Sequence, residues 1–193
     1  MTGSAAGATR EIAFVERREA LAGSLAPLLT AGLLSERVTH NDTKLNNVLL
    51  DDATGEGLCV IDLDTVMPGL LLHDFGDMVR TAANPAAEDE RDLSKVVASV
   101  PMFEALATGY LEAAGEAVSL PERERLVLSG KLLTYECGMR FLTDHLEGDV
   151  YFRIHREGHN LDRARAQFAL LRSFEEKEES LSRLVERLPR RSE

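Results

Sequence analysis

Between residues 38 and 64 the chain gathers side chains suited to phosphate chemistry: His40, Asp42, Lys44 and Asn47, then Asp62 twenty residues after Asp42. A hydroxyl that attacks a phosphoryl group needs a carboxylate to orient it and take its proton. The phosphates need oxygen ligands for a bridging divalent metal. Asp42 suits the first task, and the amide oxygen of Asn47 and the carboxylate of Asp62 suit the second. The order His, Asp, then Asn five residues beyond the Asp is that of a kinase-type catalytic loop. Lys44 is close enough to the base to neutralise a transferring phosphoryl group, although a lysine there is also an ordinary exposed cation. Taken singly, Asp42 and Asn47 would pass as turn residues; the whole set argues for chemistry.

Two further aspartates belong to this neighbourhood. Asp64 would share Asp62's side of an extended chain, and so reach the same metal or hydrogen-bond a substrate. Asp74, in Asp74-Phe75-Gly76, follows Pro68-Gly69 and leads into a helix, so it reads as a helix cap or a brace for the catalytic loop. Alone, Asp62-Leu63-Asp64 also has the D-x-D form of haloacid-dehalogenase-type phosphatases and of some metal-dependent glycosyltransferases. Either reading leaves residues 40–47 without a task, and no alternating strand-helix series follows to build a parallel sheet.

The elements that must hold these residues follow from periodicity. Phe14, Leu21, Leu25, Leu28, Leu29 and Leu33 recur at helical spacing and predict one amphipathic helix. Val48-Leu49-Leu50, a turn over 51–57 and Leu58-Cys59-Val60-Ile61 predict a short hairpin. Past Pro68-Gly69 a helix carries Phe75, Met78 and Val79 on one face until Asn84-Pro85. Further helices are expected over 101–114, from a capping box at Ser119-Leu120-Pro121-Glu122 to about Leu146, and from Asn160 as cap onward to Leu188. The charged run Glu175 to Glu179 reads as a solvated face. The fold class is α+β, mostly α, with a small hairpin set among helices.

On these residues the chain resembles the carboxy-terminal, protein-kinase-like lobe of the aminoglycoside phosphotransferase and choline kinase superfamily, whose signature is H-x-D-x-x-x-x-N followed by an I-D strand. Within it the N-acetylhexosamine 1-kinase branch is most similar. The likeness lies in His40 to Asn47, Val60 to Leu70, Asp74 to Asp77, Met139 to Asp144 and His159 to Arg165, and runs from about residue 10 to 188. The resemblance implies that Asp42 is the catalytic base, that Asn47 and Asp62 hold Mg²⁺, that His40 braces the loop and that ATP is the phosphoryl donor. It also implies a sugar acceptor, touched by Arg140 and Tyr151. Arg153, His155, Arg156 and His159 add polar groups at the same joint. The four-residue spacing of His155 and His159 would suit a metal on a helix, but no third ligand accompanies it.

A kinase of this kind also needs a nucleotide lobe with a glycine-rich cover and a lysine for the α and β phosphates. Before His40 there is neither, the lysines being Lys44, Lys95, Lys131 and Lys177. The expected organisation is therefore a flexible stretch over 1–9, a kinase-like carboxy-terminal lobe over 10–189 and a tail over 190–193, with the amino-terminal lobe truncated or supplied in trans. Such a lobe is expected to turn over weakly alone and to self-associate or take a partner through its exposed face. A different class of reading keeps the fold as a non-catalytic binding module. Another keeps the chemistry and changes the acceptor to an aminoglycoside, choline or homoserine.

Composition narrows the partners. A net charge of -11 argues against a general grip on nucleic acid or an anionic membrane. Tryptophan is absent and aromatics are 5%, which leaves little with which to stack bases. No apolar run of membrane-spanning length occurs and charge falls where a signal peptide needs apolar residues, so the expected location is cytoplasmic. Cys59 and Cys137 are expected as reduced core residues.

Overall fold

The structure, a computed structural model, describes residues 7–189. The amino-terminal segment forms three short helices, α1 (Thr9–Glu16), α2 (Glu19–Ala22) and α3 (Ala26–Thr30), rather than the single helix that its leucine spacing predicts. Gly23 caps α2, and Pro27 opens α3 where its missing N–H costs nothing. The apolar stripe survives these breaks: Phe14 on α1 and Leu25, the residue that caps α3, are buried, and Leu21 on α2 packs against the core. Residues 1–6 of the expected flexible stretch and the tail at 190–193 lie outside the described residues. Within that stretch, however, Ala8 is fully buried against Phe14 and its neighbours.

Two small antiparallel sheets follow. The predicted hairpin is present as β2 (Val48–Leu50) and β3 (Gly57–Val60), with a register shift at Leu49/Leu50. The second sheet pairs β1 (Arg37–Thr39) with β4 (Met67–Gly69), in the register Thr39↔Met67. Pro68 is tolerated in β4 because that strand pairs on one side only. No parallel strand pair occurs among the described residues, so the setting that a dehalogenase-type nucleophile needs is not there.

Helices supply the mass: α4 (Leu71–Ala82), α5 (Val100–Ala114), α6 (Leu120–Arg123), α7 (Leu126–Glu147) and α8 (His159–Arg187). The capping box forms at Ser119 and Glu122, but the helix it starts turns at Glu124-Arg125 before α7 begins. Asn160 is not the cap of α8. Gly158 occupies that place, and the Asn160 side chain is buried, donating to Asp144 (2.8 Å) and Asp149 (2.7 Å). The acidic run on α8 faces solvent, and Glu175 and Glu178 reach back to Arg18 and Lys131.

One core lies between α4, α5, α7 and α8, around Leu72, Phe75, Phe103, Leu126, Leu170 and Phe174. Phe75 meets Phe103 edge-on at 6.0 Å and Tyr110 at 5.1 Å. Burying one such ring contributes about 1.5–3 kcal/mol. A second cluster joins α1 to α7 and α8, with Phe14 stacked on Phe168 at 4.7 Å. Helix α4 can approach α7 because residue 76 is glycine: a Cβ there would stand 2.4 Å from the carbonyl oxygen of Ser129. Cys59 is exposed on β3, contrary to the expected core position, since β3 presents its side chains outward. Cys137 sits against the second cluster, and burial pushes its thiol up to about 12, which makes it a poor nucleophile.

Candidate active site

The loop between β1 and β2 is held from three sides. At its start the Thr39 hydroxyl lies 3.1 Å from the Met67 carbonyl on β4 and 3.0 Å from Asn41 Oδ1. Asn41 takes a left-handed conformation (φ 63°) and donates from Nδ2 to the Thr65 carbonyl at 3.0 Å. Thr65 in turn donates its hydroxyl to the His40 carbonyl at 2.6 Å. From the first turn of α4, Asp74 accepts the backbone N–H of His40 on one carboxylate oxygen (2.9 Å) and that of Asn41 on the other (2.7 Å). Gly69 leaves room for this knot, since a Cβ there would lie 2.4 Å from Thr39 Oγ1.

Asp42 projects from the clamped loop. Its Oδ2 accepts from Lys44 Nζ at 2.6 Å and from Asn47 Nδ2 at 2.9 Å, and Asn47 Nδ2 also reaches the Asp42 carbonyl at 2.9 Å. Burial opposes ionisation of Asp42. The hydrogen bonds from Lys44 and Asn47, with the charges of Lys44 and His40, outweigh it and hold the carboxyl below its ordinary range. Asp42 is therefore an ionised acceptor at neutral pH. Lys44 Nζ also stands 3.9 Å from Asp62 Oδ2, so one ammonium lies between two carboxylates. Such partly exposed pairs add little to stability; their consequence is local charge balance.

Asp62 follows β3 in a left-handed conformation (φ 61°) and opens the 3₁₀ turn Leu63–Thr65. The β2-β3 hairpin ties it to the loop through Ile61 N–H, which donates to the Asn47 carbonyl at 2.9 Å. His40 Nε2 lies 3.1 Å from the Ile61 carbonyl, to which it donates, and the buried Nδ1 has no hydrogen-bond partner among the described residues. Asp64 sits exposed within the turn. The chain there is not extended, so the alternation that would set Asp64 beside Asp62 does not operate.

The donor set fits a hard divalent cation. With Nδ2 of Asn47 committed to Asp42, its side-chain Oδ1 accepts no hydrogen bond among the described residues, and neither does the Asp62 carboxylate, whose nearest cation is Lys44 Nζ at 3.9 Å. No group of three or more His, Cys, Asp or Glu side chains gathers as a metal cage among the described residues. Two oxygen donors without a cage suit Mg²⁺, which keeps waters and takes phosphate oxygens.

Arg140 and Tyr151 line a groove of their own. The Arg140 guanidinium carbon is 5.9 Å from the ring of Tyr151 and 5.4 Å from that of Phe152, along an open groove of about 550 Å³ shared with Glu136 and Thr143. Tyr151 is 74% exposed, so its ring is available to a ligand. The segment is set by Asp144, which accepts the backbone N–H groups of Val150, Tyr151 and Phe152 at 2.7 to 2.9 Å. The groove shares no lining residue with the apolar hollow of about 240 Å³ beneath the loop, where His40 and Lys44 meet Val60 and Met78. His159 is buried, with one ring nitrogen at 3.0 Å from Asp89 and the other taking the His155 N–H, and Arg156 pairs with Asp162. These are ties between chain segments.

The structure thus brings His40, Asp42, Lys44, Asn47, Asp62 and Asp74 together, while Arg140 and Tyr151 line a groove of their own. Sequence reasoning missed the framing by Thr39, Asn41, Thr65 and Gly69. The only available signal was a run of turn-forming and hydroxyl residues around each strand end. An ionised carboxylate, an ammonium beside it and two further oxygen donors around one clamped loop are groups of the kind that a phosphotransferase uses. Residues 4–126 match the family model described as the phosphotransferase enzyme family, and the chain belongs to that family, the aminoglycoside phosphotransferase group. The match contains both sheets and the whole clamped loop, and ends where α7 begins. Kinases of this family use ATP as phosphoryl donor, generally with Mg²⁺. Among the described residues no helix is long and apolar enough to cross a membrane.

Proposed function

We propose that residues 10–189 form the kinase-like carboxy-terminal lobe of an ATP-dependent small-molecule kinase of the cytoplasm, whose acceptor is the anomeric hydroxyl of an N-acetylhexosamine. The observation that carries the reading is the Asp42 carboxylate, ionised and held by Lys44 and Asn47 on a loop clamped by Asp74. Asp42 orients the sugar hydroxyl and receives its proton as the oxygen bonds to the γ-phosphorus and the bond to the ADP oxygen breaks. Lys44 exchanges its contact with Asp42 for the phosphoryl oxygens, whose negative charge it offsets. Asn47 and Asp62 would hold Mg²⁺, which supplies charge neutralisation across the phosphates when bound. His40 braces the hairpin against the loop. Arg140 and Tyr151, with Asp64 from the turn, contact the sugar.

The nucleotide cover comes from outside these residues, either from further parts of a longer polypeptide or from another chain. The surface it would close over is open and apolar: Val38, Leu58 and Leu63 are 78%, 65% and 59% exposed around the two sheets. That same open face favours the second reading, a binding module that keeps the fold without the reaction.

The test is phosphoryl transfer from Mg-ATP to N-acetylgalactosamine and N-acetylglucosamine, comparing the chain with Asp42→Asn. Sugar phosphate formed only with Asp42 present supports the kinase reading. Folded protein that gives no product, alone or with a separately supplied nucleotide lobe, supports the binding module. Product with an aminoglycoside, choline or homoserine instead keeps the chemistry and overturns the acceptor.

A further inference from the structure

A cavity of about 640 Å³ opens between α1 and α8, sharing no lining residue with the loop at 40–47 or with the Arg140 groove. Four arginines line it: Arg10 and Arg17 from the α1 end, Arg165 and Arg172 from α8. Glu11 is the one carboxylate among its lining residues, and it is taken by Arg165 at 2.6 Å. Arg10, Arg17 and Arg172 make no ion pair among the described residues. Arg172 is held instead by the Phe14 ring, its guanidinium carbon 5.5 Å away. Nearby Arg18 does not share this freedom, being committed to Glu175 at 2.8 Å.

Three unneutralised guanidiniums thus converge on one concavity in a chain whose net charge is -11. Like charges brought together repel unless an anion arrives, and the guanidinium fork matches phosphate oxygens in pairs. The floor is of another character: Ala13, Phe14, Leu93 and Phe168 present carbon. The volume is that of a site for a small organic molecule rather than a bare ion.

We propose that this cavity binds an organic phosphate, its phosphate held by Arg10, Arg17 and Arg172 and its apolar body laid against the floor formed by Phe14, Leu93 and Phe168. The site is separate from phosphoryl transfer and stands whether or not the kinase reading does.

The probe is 1-naphthyl phosphate, titrated into the full chain without Mg²⁺ at low salt and followed by naphthyl fluorescence and calorimetry. Saturable binding is expected at least about tenfold tighter than that of inorganic phosphate or of neutral 1-naphthol, and weakened by added salt. An Arg17→Ala/Arg172→Ala variant should lose about a hundredfold in affinity, and Lys44→Ala none. Should loss of Arg172 from the Phe14 ring disturb folding, as judged by circular dichroism, Arg10→Ala/Arg17→Ala removes two exposed cations that pair with nothing among the described residues. Four results would each overturn the proposal: no saturable binding, equal binding of inorganic phosphate or 1-naphthol, unchanged affinity in a folded arginine variant, or loss of binding in Lys44→Ala, which would move the ligand to the loop.

Discussion

Asp74 accepts the consecutive backbone N–H groups of His40 and Asn41 on its two separate oxygens, at 2.9 and 2.7 Å, although Asp74 lies 33 positions beyond Asn41 in the chain. The bend in which Asn41 takes a left-handed conformation (φ 63°) is therefore held from outside the loop. Asp74→Ala leaves both N–H groups without that acceptor. We expect about 1–3 kcal/mol less stability in urea unfolding and a fall in phosphoryl transfer greater than the loss of folded protein explains. Unchanged stability and turnover would show that the clasp is idle.

The Asp42 carboxyl owes its depressed pKa to Lys44 and Asn47 acting against burial. Lys44→Ala removes both the hydrogen bond and the charge, so the pKa should rise. Carboxyl titration followed by NMR in the absence of metal should show Asp42 protonating at higher pH in the variant than in the parent. For the parent, activity that needs ionised Asp42 should persist at neutral pH and fall only as acid takes the site below the ordinary carboxylate value of about 3.9.

Asp144 is driven up by burial and, more strongly, down by the N–H groups of Phe152, Tyr151 and Val150, the net result being a lowered pKa. A group whose folded pKa is depressed stabilises the fold above its unfolded value, and that contribution is lost as pH falls through the folded one. Parent and Asp144→Ala should thus differ most in thermal unfolding near neutral pH and converge in acid. A gap that widens in acid would contradict this assignment.

Gly76→Ala should destabilise by about 1–3 kcal/mol, because the new Cβ would meet the Ser129 carbonyl at 2.4 Å and backbone cannot move aside as a side chain can. Thermal unfolding measures it directly, and a neutral result would mean that α4 and α7 can slide apart freely.

The candidate loop was legible because its residues are local: His40, Asp42, Lys44 and Asn47 fall within eight residues, and the hairpin that returns Asp62 announces itself by apolar runs around a turn. What was not legible is long-range or depends on backbone breaks. The pairing of β1 with β4 rests on three-residue strands too short to alternate, one of them containing Pro68. Apolar spacing runs on across Gly23 and Pro27, so periodicity reads one helix where the backbone makes three. Asn160 has the chemistry of a cap, but tertiary partners at Asp144 and Asp149 outbid the local role. The arginines of the α1–α8 cavity are scattered over more than 160 residues and meet only in the folded chain.

Helix α4 carries Asp74 toward the loop and, within the same turns, Leu72 and Phe75 into the core, both fully buried. The geometry of the Asp42 loop is thus moored to hydrophobic packing. In a genetic screen for lost activity, substitutions at Leu72 or Phe75 should appear beside those at Asp42, and some should do so while the protein is still abundant in the cell. Evolution, for its part, could retune turnover by repacking the interior without touching a polar residue of the loop.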